Sequence, residues 1–323
     1  MSSTAPFPQP YPVKVHTYLS SASSEKPSPV QTYEHLPNFP LSSSPPPPSQ
    51  PARNALVFIG GLGDGPHTIP YVRALAERLF SSCPPYSVFE ARLTSAFTAF
   101  GYGSLAQDAR EIADLVRYLR TGLGTRRVVL MGHSTGCQDC LEYGTKFVLD
   151  SSDEEIAVDG FVLQGPVSDR EAIRMAEDVR EVEAALRVAE GMVKDGKGEE
   201  IMRRDAMPKG WRGSLVTAYR WLSLAGVGGD DDYFSSDLSD EKLASIWGKL
   251  LQPVMILPSE EDEWVAPEID VAGLVNKWKS FCGPGIASEC SGLIPGANHR
   301  VENTDGQHWL ADRVAQFLID IEK

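Results

Sequence analysis

The sequence predicts an α/β protein: a doubly wound, mainly parallel sheet with helices on both faces and a mostly helical cap inserted late in the chain. Three observations carry this. Short continuous apolar runs with β-branched residues, such as 54–59 and 128–131, have the character of strands buried on both faces. Stretches of helical period lie between them. The alternation stops at Ser168 and resumes only at Pro253, which marks an insertion in a parallel αβ succession.

Residues 13–19 alternate as a half-buried strand does, and a second strand is expected near 30–35. The run Ser42-Ser43-Ser44-Pro45-Pro46-Pro47-Pro48-Ser49-Gln50-Pro51 reads as a polyproline II linker with no core-forming capacity, a surface loop or a ligand for a proline-binding module. These segments make up an N-terminal region, 1–53. The first part of the core, 54–167, holds strand 54–59, a helix over 68–80, a strand over 86–92 and a helix over 104–120. Leu105, Ala109, Ile112, Val116 and Leu119 share one face of that last helix. Strand 128–131, a helix running to about 149 and strand 156–164 complete the half.

The cap is expected over 168–248. Ile173, Ala176, Val179, Val182, Leu186, Ala189 and Val193 form one apolar stripe, which predicts a single long helix to about 194. Cap aromatics include Trp211, Tyr219, Trp221, Tyr233, Phe234 and Trp247. Most of these pack the cap on the core, and Trp221, Tyr233 and Phe234, together with Gly61 of the core, are the candidates for binding substrate. The second part of the core, 249–323, holds strand 253–257, a helical stretch over 267–278, a short strand at 291–294 and a last helix over 307–321.

At 323 residues, with 42% hydrophobic and 23% charged, the chain can bury a core large enough for an enzyme. A formal net charge of −14 argues against nucleic acid and anionic membrane surfaces as partners. Five cysteines spread thinly are not a disulfide framework. Cys137-x-x-Cys140 has no second pair, so buried thiols in helix packing are expected rather than a metal site, and no cofactor is implied. The first residues lack the basic and apolar regions of a secretory signal, and no window reaches the roughly 18 apolar residues of a membrane helix. A cytosolic location is the expectation.

The chemistry centres on Gly132-His133-Ser134-Thr135-Gly136, a G-x-S-x-G nucleophile elbow. The serine sits on a sharp strand-to-helix turn, and glycine at both flanks removes side chains that would collide with neighbouring backbone. Strand, motif and helix follow in the required order. Such a serine needs a base and an orienting acid, expected in the chain order serine, acid, histidine. The segment Pro258-Ser259-Glu260-Glu261-Asp262-Glu263 offers the acid. Asp262 is favoured, with Glu261 and Glu260 as alternatives. His299 lies in a small-residue loop before the final helix and is the expected base. His133 should point away from the nucleophile, and His67 should open a helix. The oxyanion donors are expected to be the Thr135 amide at a helix N-terminus and the Leu62 amide of the Gly60-Gly61-Leu62-Gly63 loop, with Gly61 as the alternative. That loop lacks the spacing and the Lys-Ser/Thr ending of nucleotide-binding loops.

Longer motifs surround these residues. Phe58-Ile59-Gly60-Gly61-Leu62-Gly63-Asp64-Gly65, the run Gly132 to Asp139, Leu163-Gln164-Gly165-Pro166-Val167-Ser168-Asp169-Arg170 and the cap run Asp231 to Asp240 together resemble a fungal and plant family of α/β-hydrolases of largely uncharacterised role. The resemblance runs from residue 54 to the end and leaves out the proline-rich segment. The loop around Asp262 resembles the Gly-x-x-Asp-x-x-Val-Pro loop of α/β-hydrolases, with Ser259 and Ala266 in place of Gly and Pro. Family members with an assigned role are fungal siderophore esterases that cleave fusarinine-type ferric siderophores inside the cell. The resemblance therefore implies an α/β-hydrolase fold and ester hydrolysis through Ser134, Asp262 and His299. It further suggests a ferric hydroxamate siderophore as the small-molecule partner, with the iron arriving on the substrate. A thioesterase or acyltransferase would use the same groups, and a small-molecule carrier would keep only the scaffold.

Overall fold

The computed structural model describes residues 11–22, 26–36, 54–82, 84–149 and 151–323. The proline-rich run Ser42 to Pro51 lies outside them. Among the described residues, seven strands form one sheet: β1 (Val13–Ser20), β2 (Ser28–His35), β3 (Asn54–Ile59), β4 (Ser87–Ala91), β5 (Arg127–His133), β6 (Gly160–Gln164) and β7 (Val254–Leu257), in the spatial order β1-β2-β4-β3-β5-β6-β7. From β4 to β7 all pairs are parallel, and the β1–β2 hairpin adds antiparallel to the edge of β4. The parallel strands are buried along their length, because helices cover both faces.

Alternation along β5 divides the core. Val128 and Leu130 join the cluster under α2 (Leu105–Arg117), α3 (Gly136–Glu142) and α8 (Val271–Phe281). Val129 and Met131 join the cluster under α1 (Val72–Phe80) and α9 (Thr304–Asp320). No helix among the described residues is long and apolar enough to cross a membrane.

Between β6 and β7 lie α4 (Asp169–Ala176), α5 (Val179–Lys194), α6 (Ala218–Ala225) and α7 (Asp240–Trp247). The first three build their own apolar cluster around Trp221, Val182, Leu186 and Met207. The single long helix expected over 168–194 is in fact two. Glu177 takes an extended backbone (φ −120°, ψ 161°), and the Asp178 carboxylate caps α5 by accepting from Arg180 N at 2.8 Å. Apolar period alone does not reveal this break, since both helices keep the 3.6 repeat. The strand expected at 291–294 is an edge segment with few rungs on β7: Gly292 N donates to Ile256 O (3.0 Å) and Ile294 N to Pro258 O (2.8 Å). The next donor on that side, Gly296 N, sits at φ 56° and donates to the Glu260 side chain (2.7 Å) instead, which ends the pairing.

Candidate active site

The central strand β5 delivers Ser134 into a left-handed backbone at φ 54°. Both flanking glycines are obligatory there. A Cβ on Gly132 would lie 2.2 Å from Gly136 O, and one on Gly136 would lie 2.4 Å from Ile59 O. Ser134 N donates to Gln164 O (3.0 Å), and its carbonyl accepts from Cys137 N (2.8 Å) as α3 begins. The turn is thus over-determined by its neighbours, the condition under which strained backbone persists.

Two further loops meet the serine. His299 Nε2 lies 2.9 Å from Ser134 Oγ, and His299 Nδ1 lies 2.8 Å from Asp262 Oδ2. The Asp262 and His299 side chains are 2% and 6% exposed. The second Asp262 oxygen accepts from Trp264 N (3.0 Å), and His299 N donates to Glu263 (2.8 Å), so the acid loop and the histidine loop hold each other. The alternative acids are engaged elsewhere: Glu260 accepts from Gly296 N (2.7 Å), and the exposed Glu261 binds Ala297 O through its own amide (2.9 Å).

The Gly60–Gly65 loop reaches the serine because Ile59, at the end of β3, pairs with Gly132 on β5. A Cβ on Gly61 would lie 2.5 Å from Ser134 Cβ, so only glycine lets this backbone pass. Leu62 lines the cavity beside Ser134, and Thr135 stands at the N-terminal end of α3. Among the described residues, neither the Leu62 nor the Thr135 amide donates to another protein atom.

Ser134 and His299 open onto a cavity of about 500 Å³. Its cap wall is Ala172, Ile173 and Ala176 of α4 with Glu177, Gly210 and Trp211, and Trp264 contributes from the acid loop. The three cap aromatics expected here lie elsewhere. Trp221 is fully buried behind Trp211, with ring centroids 5.0 Å apart. Phe234 packs against Trp278 (5.4 Å) in the core, and Tyr233 is buried with its hydroxyl on Glu142 (2.6 Å). Their apolar area is used to seat the cap, which leaves the part-exposed Trp211 and Trp264 to face the cavity.

His133 makes no hydrogen bond to Ser134, yet it does not leave the site. The alternation that sends Met131 toward α9 sends His133 the same way, and His299 arrives from that side, so the two rings lie 4.9 Å apart. Burial, then the neighbouring His299, pushes the His133 pKa down to about 3, which keeps a neutral ring against His299. Its Nδ1 contacts Gln164 Oε1 (2.5 Å), which also accepts from Tyr71 (2.8 Å), while Gln164 Nε2 donates to His299 O (3.3 Å). Gln164 thus ties the elbow to the histidine loop. Its signal in the sequence was a polar residue ending the apolar run of β6. His67 likewise departs from expectation: it sits in a loop at φ 69°, and α1 starts only at Val72.

A buried acidic group lies behind the Leu62–Thr135 side of the site. Arg220 of α6 binds Asp231 (2.6 Å) and donates to Phe100 O (3.0 Å). Asp108, Asp139 and Asp169 stand around it, all buried, and Asp169 accepts from Gln138 (2.7 Å) and Thr135 Oγ1 (3.3 Å). Burial pushes Asp108 and Asp169 up to about 7, and it raises Asp139 well above the carboxylate range. Arg170 meanwhile pairs with Asp232 and Asp237, which pins the segment after α6 to the start of α4. Cys137 and Cys140 are free and fully buried in α3, and burial raises both thiols.

A family profile described as "Protein of unknown function (DUF1749)" matches residues 20–319. The chain belongs to this family. Within the DUF1749 family it is similar to UPF0613 protein PB24D3.06c of Schizosaccharomyces pombe, 33% identical over 287 residues that span 84% of this chain and 89% of the relative. It is similar as well to fusarinine C esterase sidJ of Aspergillus fumigatus, 30% identical over 320 residues spanning 84% and 90%. Among solved structures, siderophore hydrolase EstB from Aspergillus fumigatus superposes with a TM-score of 0.73 at 27% identity, covering 96% of this chain and 98% of that one. An α/β-hydrolase fold protein of unknown function superposes at 0.66 and 20% identity over 97% and 98%. The DUF1749 chain has the α/β-hydrolase fold.

Proposed function

We propose that this protein is a serine esterase acting inside the cell on ester bonds of fusarinine-type ferric hydroxamate siderophores. The observation that carries the reading is the continuous relay from Ser134 Oγ through His299 to Asp262, at 2.9 and 2.8 Å, opening onto a cavity. The relatives named fusarinine C esterase and siderophore hydrolase direct it to this substrate class.

In the proposed mechanism His299 Nε2 takes the Ser134 proton as Oγ attacks the ester carbonyl. Asp262 holds the proton on Nδ1 and stabilises the imidazolium. The Leu62 and Thr135 amides receive the oxyanion, each donor lowering the barrier by about 3 kcal/mol. His299 returns its proton to the leaving alkoxide, and water, deprotonated by the same imidazole, releases the acid and regenerates Ser134. Neutral His133 suits this cycle, because a second positive charge beside His299 would oppose formation of the imidazolium. Trp211 and Trp264, which line the cavity, are the aromatic side chains available to hold an ester-bearing arm of the siderophore.

The test is hydrolysis of ferric fusarinine-type trihydroxamate esters and of short-chain alkyl esters by the wild type and Ser134→Ala. The reading expects siderophore cleavage that falls on the order of 10⁴-fold in the variant with the fold unchanged. Full activity in Ser134→Ala contradicts the serine mechanism. Turnover of simple esters alone contradicts the siderophore assignment.

A further inference from the structure

Three side chains of metal-ligand type converge where the N-terminal hairpin meets the core, outside the cavity lining. His35 closes β2, Glu90 lies on β4, and His67 sits in the loop between β3 and α1. His35 Nε2 is 2.5 Å from Glu90 Oε1, and His67 Nδ1 is 2.9 Å from the same oxygen. The donor atoms of the three residues all lie within 4.8 Å of one another. The Glu90 and His35 side chains are 1% and 2% exposed, while His67, 31% exposed, closes the group toward solvent. His67 has a left-handed backbone (φ 69°), and its amide donates to Glu90 Oε2 at 2.7 Å. The Tyr11 ring stacks on His35, and its hydroxyl lies 3.1 Å from His67 Nδ1.

As a hydrogen-bonded group this arrangement places both ring nitrogens on one carboxylate oxygen, which accepts from each through a separate lone pair. The same three donor atoms can instead serve a cation, which takes lone pairs from both neutral rings and from the carboxylate. Two imidazoles with one carboxylate suit a first-row transition metal; magnesium and calcium call for oxygen ligands alone. We propose that His35 Nε2, His67 Nδ1 and the Glu90 carboxylate form a site for a divalent metal ion of the zinc class, with water in the fourth position beside the Tyr11 hydroxyl. Tetrahedral zinc, at about 2.0–2.2 Å from each donor, spaces its ligands about 3.4 Å apart, so the two contacts to Glu90 Oε1, at 2.5 and 2.9 Å, need to open by less than about 1 Å. The part-exposed His67 is the side that opens to admit the ion. Bound there, the metal ties β2 and β4 to the loop that also carries Leu62 and Asp64, and so braces the backbone that faces Ser134.

The experiment uses the full chain, stripped with a chelator and then freed of it. Titration with Co²⁺ is followed by visible absorption, and Zn²⁺ binding by calorimetry and thermal unfolding. One equivalent should bind, Co²⁺ should give the intense visible bands of a tetrahedral site, and Zn²⁺ should displace it and raise Tm by several degrees. His67→Gln, which keeps a hydrogen-bond donor beside Glu90 but offers no imidazole, should weaken binding 100-fold or more with unchanged circular dichroism. His308→Ala, at an exposed position on α9, should leave binding intact. Absence of stoichiometric binding to the wild type, or equal affinity in wild type and His67→Gln, overturns the proposal and leaves a hydrogen-bonded His–Glu–His group.

Discussion

Replacing Arg220 by Gln tests how the cap is held over the site. Arg220 is 3% exposed and faces Asp231, Asp108, Asp169 and Asp139, with a direct bond only to Asp231. Removing one partner of a buried ion pair costs about 3–5 kcal/mol, because the remaining charge loses its compensation. Unfolding entropy of about 2.1 cal/mol/K per residue over 323 residues converts that loss to a fall in Tm of about 4–7 °C. The loss should also depend on pH. Asp108, Asp169 and Asp139 have folded pKa values above their unfolded ones, so between about pH 4 and 7 the native chain binds more protons than the unfolded chain. Their ionisation therefore removes stability as pH rises through this window. Without Arg220 the carboxylates lose the cation that draws them down, so the variant's deficit should be largest near pH 8 and shrink toward pH 5. Calorimetric Tm values for both proteins at pH 5, 6.5 and 8 measure this. A deficit below about 1 °C at pH 8, or one constant with pH, refutes the reasoning.

Asp262→Asn should lower kcat about 10⁴-fold with little change in Tm, because the imidazole then loses its tautomer and its counter-charge; steady-state kinetics beside calorimetry reads both. Gly61→Ala should cost on the order of 10²-fold or more in kcat, since the new Cβ meets Ser134 Cβ at 2.5 Å and displaces the Leu62 amide. Trp221→Ala should destabilise by about 3–5 kcal/mol as a core truncation, measured by urea unfolding. Trp211→Ala and Trp264→Ala, in contrast, should raise KM with a smaller loss of stability.

The elbow was legible in the sequence because its requirements are local: glycine at two fixed positions, a buried strand before it and a helix after it. Asp262 and His299 were legible through chain order and their loops after β7 and before α9. The cavity wall was not, because helical period cannot tell a side chain facing the cap's own cluster, such as Trp221, from one facing the cavity, such as Trp211. Gln164 and His133 required the register of β5 against β6, which pairs them directly. The acidic group around Arg220 resisted reading for a related reason. Asp108, Asp139 and Asp169 look like ordinary solvated charges in their own segments, and only the packing of α6 onto the core buries them together. The break between α4 and α5 turned on one capping aspartate within an unbroken apolar stripe.

The most direct test of the central claim is covalent labelling with a fluorophosphonate, read by intact-protein and peptide mass spectrometry. The relay predicts one adduct per chain, on Ser134, formed rapidly by the wild type and at least about 10³-fold more slowly by His299→Ala. A wild-type protein that stays unlabelled, or labels as fast without the imidazole, contradicts it.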